Sequence, residues 1–160
     1  MSEATLVKWT SPLDANNDQR VHGGAVTRLC DEAAGLAAIR HTRQKVVTAA
    51  IDRMTFLHPV MVGEVLTLRA AVNAVWRTSL EVGVRVESED PLSGEVRHTS
   101  SAYVTMVAID ESGQPVPVPP LSPAGAEQRR REREAQLRRA NRLNERVQIL
   151  AERVPSSLPG

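Results

Sequence analysis

An acid set among small residues is where this chain can first do chemistry. Asp31 lies in the run Thr27-Arg28-Leu29-Cys30-Asp31-Glu32-Ala33-Ala34-Gly35, seven residues beyond the pair Gly23-Gly24. On a helical period of about 100° it shares a face with Thr27, Ala34, Gly35 and Ala38, so a narrow groove can run beside the carboxylate. An unpartnered buried carboxylate costs several kcal/mol, which makes an acid on a helix through the middle of a domain a candidate for function. Gly23 and Gly24 supply the complementary chemistry. Without side chains they let a ligand approach the backbone, and the first N–H groups of the helix that follows have no acceptors of their own. An oxyanion placed there meets donors and the positive end of the helix dipole. The combination suits a carbonyl held near the helix start and attacked with the help of a carboxylate. Glu32 points about 100° away from Asp31, one turn after Arg28, and the spacing predicts an exposed ion pair with a supporting role.

Other chemistries find little support in the residue pattern. His22, His41, His58 and His98 are scattered without metal-ligand spacing, so no metal is expected. Neither a Gly-x-Ser-x-Gly elbow nor a Gly-rich phosphate loop occurs. The single cysteine, Cys30, has apolar neighbours and reads as a buried thiol. The net charge of +1 gives no argument for nucleic acid as a partner. No run approaches the roughly 20 apolar residues that span a bilayer, and the opening Met1-Ser2-Glu3-Ala4 lacks the basic start of a signal peptide, so a cytoplasmic protein without a membrane partner is expected. Charge is unevenly spread: residues 122–160 hold nine arginines against five glutamates, and residues 1–121 hold eleven Lys or Arg against fourteen acids.

The elements that must position Asp31 follow from patterning. Residues 5–9 read as a short strand, 11–20 as a polar loop, and 25–41 as a helix with a broad apolar face, about 26 Å long. From residue 46 the text turns to strands over 46–57, 66–73, 80–87 and 96–109, with apolar and polar residues alternating in the middle two. Turns fall at Met61-Val62-Gly63-Glu64 and Asp90-Pro91-Leu92-Ser93-Gly94. With one core helix for the whole sheet, the economical architecture is α+β: a strongly curved antiparallel sheet wrapped around that helix, its far face open to another subunit. Five prolines in residues 114–123 end this body. Residues 124–153 then form a basic helix with Leu137, Ala140, Leu143, Val147, Leu150 and Val154 as a sparse apolar edge. The organisation is thus a domain over 1–121 and a Pro-rich linker with a C-terminal helical tail over 122–160.

Ordered blocks across residues 5–121 resemble one family. Asp14-Ala15-Asn16, Val21-His22-Gly23-Gly24, Asp31-Glu32-Ala33-Ala34-Gly35, Arg40-His41, Val47-Thr48-Ala49, Phe56-Leu57-His58-Pro59-Val60, Val62-Gly63-Glu64, Arg77-Thr78-Ser79 and Ala102-Tyr103-Val104-Thr105 are similar to the hotdog-fold acyl-CoA thioesterases, as is Gly113-Gln114-Pro115-Val116-Pro117-Val118-Pro119. The likeness is strongest to the cytosolic acyl-CoA hydrolase group, which includes the bacterial YciA type and the brain-type enzyme of animals. It implies hydrolysis of an acyl-CoA thioester to a carboxylate and coenzyme A without a metal or organic cofactor. It also implies homodimers with active sites at the interface, assembled into trimers of dimers.

Carried over residue by residue, the resemblance places the catalytic carboxylate on Asp31, a partner asparagine from the other subunit on Asn16, and the N–H that polarises the thioester oxygen on Gly24. His22 and Gly23 fall beside that donor, and Glu32 falls on an acidic position next to the catalytic one. Arg77, Thr78 and Ser79 resemble the nucleotide-side wall of the pocket. Arg77, Arg40, Arg43 and Lys45, all near element ends, are candidates for the CoA phosphates. Relatives often carry a glycine and then a small or polar residue before Val21; this chain has Gln19-Arg20. Asp31 can act as general base toward water or as a nucleophile through a transient anhydride. The same fold hosts acyl-CoA dehydratases and hydratases, for which His22 would be the base. A non-catalytic acyl-CoA-binding scaffold, with the basic tail as its interaction arm, is a third reading.

Overall fold

The computed structural model describes residues 2–122 and 125–153. Its elements are β1 (Glu3–Trp9), a 3-10 turn (Pro12–Asp14), α1 (Gly23–Thr42), β2 (Lys45–Phe56), β3 (Val65–Val75), β4 (Ser79–Glu89), β5 (Val96–Ile109) and α2 (Gly125–Glu152). The chain divides into two compact units, Met1–Ser122 and Pro123–Gly160.

In the first unit the helix starts two residues earlier than the alanine pattern suggests, because His22 caps it. His22 has extended backbone, and its Nδ1 accepts the Gly24 N–H at 2.9 Å, satisfying one of the orphan donors of the first turn. The helix stops at Arg43, which turns left-handed (φ 57°) and returns its N–H to the Ile39 carbonyl at 2.8 Å. Between these ends Cys30, Ala33, Ala34, Ala37 and Ala38 are fully buried. Alanine favours the helix and adds little bulk, so one helix can touch all five strands.

The strands form one antiparallel sheet in the order β1-β3-β4-β5-β2. Alternate residues of the central strands supply the core against α1: Leu66, Leu68 and Ala70 from β3, Leu80, Val82, Val84 and Val86 from β4, and Ala102, Val104 and Met106 from β5. Burial of each leucine or valine side chain contributes roughly 1.5–3 kcal/mol. The curved antiparallel sheet around one helix that the patterning predicts is the observed architecture.

β2 behaves differently. It is an edge strand with Val47, Ile51 and Phe56 exposed, and its register against β5 slips twice, between Thr48 and Ala50 and between Ile51 and Arg53. Each slip is a bulge, the device that re-aims side chains at a sheet edge. In the second unit, α2 is braced on its surface by Arg130, which pairs with Glu127 at 3.0 Å and Glu134 at 2.6 Å. Of its expected apolar edge, Leu137, Leu143, Val147 and Leu150 are exposed, and Val154 lies outside the described residues.

Candidate active site

The loop before α1 is locked upon itself. Asn16 N–H donates to the Arg20 carbonyl at 2.7 Å, and Asn16 Oδ1 accepts the backbone N–H groups of Asp18 (2.9 Å) and Arg20 (3.1 Å). Gln19 adopts the left-handed conformation (φ 59°) to close this turn. With Oδ1 spent on the backbone, the group that Asn16 presents outward is its Nδ2 amide, a donor. Upstream, Asp14 Oδ2 accepts the Ser11 N–H at 2.9 Å and the Ser11 hydroxyl at 3.0 Å. These bonds, the backbone one foremost, and the charge of Lys8 hold the Asp14 carboxyl below its ordinary value. The Asp14 carbonyl also takes the His22 N–H at 2.8 Å, tying the turn to the helix start. Downstream, Val21 N–H donates to the Val60 carbonyl at 2.9 Å, and Arg20 bridges to Met61. A hollow of about 310 Å³ opens here, walled by Asn16, Arg20, Gly23, Val26, Phe56 and His58 among others. A Cβ on Gly23 would stand 3.4 Å from the Phe56 ring, so the glycine lets that ring lie close over the helix start.

Asp31 is organised separately, two turns down α1. Its Oδ1 accepts the Thr48 hydroxyl at 2.5 Å, and Oδ2 has no partner among the described residues. Thr48 stands at the first bulge of β2, with its hydroxyl also 3.6 Å from Met106 Sδ. Bulge and methionine together fix the direction in which the hydroxyl meets the acid. The carboxylate is half-buried beside an edge strand, oriented on one oxygen and open on the other. Beneath it Cys30 is fully buried, and desolvation, then the charge of Asp31, push its thiol up to about 12. This is the inert buried thiol read from the sequence. Thr48 was not among the candidate residues. Its signal was its presence in the block Val47-Thr48-Ala49, without any spacing rule that would link it to Asp31.

The remaining candidates spread along the fold. His22, expected at the substrate, has its Nδ1 engaged by Gly24, so the Gly24 N–H expected to polarise a carbonyl already has an acceptor. Gly23 lies in the hollow wall. Glu32 pairs with Arg28 at 2.8 Å on the exposed side, as its spacing predicts. Arg40 Nη1 donates to the Glu3 carbonyl at 3.0 Å, Arg43 caps α1, and Lys45 pairs with Glu111 at 2.5 Å. Arg77 and Thr78 sit in the β3–β4 turn, where their carbonyls accept the N–H groups of Val118 and Ala108, and Ser79 opens β4. These basic and hydroxyl residues gather at the far end of α1, about 30 Å along the axis from Gly23 at 1.5 Å per residue. One chain therefore places Asn16, Arg20 and Gly23 in one wall, Asp31 with Thr48 in a second group, and the basic cluster in a third.

Comparison with known proteins places the chain in a family. Residues 19–95 match the model of the thioesterase superfamily. Protein VdlD of Helicobacter pylori is 42% identical over 112 residues, covering 70% of this chain and 64% of VdlD, so the match spans less than two thirds of that relative. The chain superposes on the structure of an apo-hexameric acyl-CoA thioesterase with a TM-score of 0.86 and 40% identity, covering 90% of this chain and 92% of the other. An acyl-CoA hydrolase from Staphylococcus aureus gives a TM-score of 0.86 at 28% identity, covering 94% of this chain and 92% of the other. With its one helix wrapped by a five-stranded antiparallel sheet and relatives of this extent, the chain belongs to the hotdog-fold acyl-CoA thioesterase family, close to the YciA-like and cytosolic acyl-CoA hydrolases.

Proposed function

We propose that the protein hydrolyses acyl-CoA thioesters to a carboxylate and coenzyme A, with Asp31 as general base. The observation that carries the reading is the bond from Thr48 to one Asp31 oxygen, which leaves the other oxygen oriented and open to water. In the proposed reaction Asp31 Oδ2 removes a proton as water attacks the thioester carbonyl. The Asn16 Nδ2 amide donates to the carbonyl oxygen as charge develops on it. Collapse of the tetrahedral species expels the thiolate, a good leaving group given an ordinary thiol value near 8.5. The Gly24 N–H joins Asn16 when the His22 side chain gives up its bond.

The spacing of the three side chains supports this assignment. Alanine mutants of the S. aureus acyl-CoA hydrolase at an asparagine, an aspartate and a threonine have been solved, and those positions lie 15 and 17 residues apart. Asn16, Asp31 and Thr48 have the same two intervals. That enzyme is also known in complex with butyryl coenzyme A and coenzyme A, which supports an acyl-CoA as substrate here.

The active unit in this reading is a homodimer. Asp31 does not line the hollow that contains Asn16, and it stands over an exposed edge strand whose apolar side chains and free backbone groups suit a second β2. A second copy on this edge would offer its own Asn16 to Asp31. It would also bring the basic residues Arg40, Arg43, Lys45 and Arg77 of one copy toward the joint site, outside the hollow, as candidates for the CoA phosphates. The hexameric relatives favour a trimer of such dimers. Among the described residues no helix is long and apolar enough to cross a membrane.

Thiol release from a series of acyl-CoAs tests the activity, and Asp31→Ala tests the base. The variant is expected to keep its fold and assembly and to lose at least about a hundredfold in kcat. Turnover within a few fold of wild type would make Asp31 structural. Single-turnover hydrolysis in ¹⁸O water tests the general base against a nucleophilic Asp31: label appearing in the Asp31 carboxylate shows an anhydride and overturns the general base.

A further inference from the structure

Arg20 is the one charged side chain in a hollow whose other walls are largely apolar. Val21, Val26, Phe56, Leu57, Pro59 and Val60 supply the apolar surface, and Asn16 and His58 the remaining polar groups. No ion pair engages the Arg20 guanidinium among the described residues. Its backbone, in contrast, is held on three sides. The N–H donates to Asn16 Oδ1, the carbonyl accepts from Asn16, and the residue bridges to Met61. A cation without a counter-charge is thus mounted on a rigid turn beside the amide that the proposed reaction uses at the thioester carbonyl. The Arg20 side chain is exposed, and an unpaired guanidinium recognises a carboxylate or a phosphate through charge-assisted, often bidentate, hydrogen bonds.

We propose that Arg20 selects acyl groups that end in a carboxylate, so that the preferred substrates are CoA monothioesters of dicarboxylic acids. The proposal rests on the acyl-CoA reading above. The apolar walls suit a methylene chain rather than a nucleotide, and they start at Asn16, where the thioester carbonyl is placed. At about 30 Å³ per non-hydrogen atom, the share of a water molecule, the 310 Å³ hollow takes roughly ten such atoms. A chain of four methylenes with a terminal carboxylate fits that volume, and Arg20 then neutralises a charge that an all-apolar hollow would reject. His58, in the same wall, offers a second donor.

The test compares adipyl-CoA with 6-methylheptanoyl-CoA, its neutral isostere, in wild type and in Arg20→Met. The ratio of kcat/KM between the two substrates is read within each protein, so any general loss in the variant cancels. The expected result is a wild-type ratio of about tenfold or more in favour of adipyl-CoA, falling to near one in Arg20→Met. A wild-type ratio near one overturns the proposal. So does a ratio that survives the substitution. The CoA phosphates are the other source of the same anionic chemistry, and the matching adipyl and 6-methylheptanoyl pantetheine thioesters distinguish them. If Arg20→Met weakens both CoA substrates equally and spares both pantetheine substrates, Arg20 holds phosphate and the proposal falls. If wild type releases thiol from no acyl-CoA, it is the hydrolase reading that fails, and binding decides the subsite. Calorimetric titration of the thioether analogue of adipyl-CoA must then show about tenfold tighter binding than its neutral isostere, with the margin lost in Arg20→Met; equal binding of the two overturns it.

Discussion

The two halves of the candidate site are built by opposite strategies. Asn16 belongs to a turn closed within one chain: its side-chain and backbone oxygens accept the N–H groups of Asp18, Gln19 and Arg20, its own N–H donates to Arg20, and Asp14 and Val60 anchor the turn on either side. Asp31 rests on a rigid helix but has one side-chain bond, to a threonine on an exposed edge strand. The first half is preorganised by its own backbone. The second depends on β2, and so on whatever covers β2. The difference teaches where each half is vulnerable: substitutions in the turn act within the protomer, and substitutions along β2 act through the orientation of the carboxylate and, in the proposed dimer, through assembly.

The largest expected effect separates assembly from local order. The pair Val47→Lys with Ile51→Lys puts charge on two exposed apolar residues of β2 and should yield monomers with activity at background, since Asp31 would lose the neighbouring Asn16. Sedimentation velocity together with thiol release checks this, and a fully active monomer would place both halves of the site in one chain. Smaller in effect, Thr48→Val keeps the shape at the bulge and removes the hydroxyl that holds Asp31. A loss of about tenfold in kcat with KM nearly unchanged is expected if the bond orients the proposed base rather than binding the substrate. A change confined to KM would assign Thr48 to substrate binding instead.

The smallest effect probes the preorganised half. Asp14→Ala removes the acceptor for Ser11 and should lower stability by about 1 kcal/mol at neutral pH. The sign with pH follows from the direction of the shift. A folded-state carboxyl held below 3.8 stabilises the fold above that value, and the contribution disappears as the pH falls through the lowered folded-state value. Denaturant melts of the two proteins should therefore converge in acid. A gap that stays constant from neutrality into acid would show that the charge of Asp14 is not what holds the turn.

Much of this was legible from residue types and spacing. The alternation of Leu66, Leu68, Ala70 and Val72, and of Leu80, Val82, Val84 and Val86, announces strands with one covered face, and those are the residues that cover α1. Asp31 stood out because its neighbours are small and apolar. The Arg28 and Glu32 pair follows from helical spacing alone. The start of α1 was displaced because two glycines weaken the helical signal, whereas a capping imidazole supplies the missing acceptor. Thr48 stayed hidden because a bulge, which no pattern of period two reveals, turns its hydroxyl toward a helix 17 residues away.

By itself the sequence determined the class of fold, the single alanine-rich helix that a sheet can close around, and the acid on that helix, since all three depend on local periodicity and the cost of burying charge. Tertiary structure alone decided that Thr48 orients Asp31, that Asn16 turns its amide N–H₂ outward by spending its oxygen on Arg20, and that His22 holds the Gly24 N–H. Each of these is a hydrogen bond whose geometry depends on where a bulge, a left-handed residue or a cap places its partner. Residue order does not encode such directions until the chain has packed.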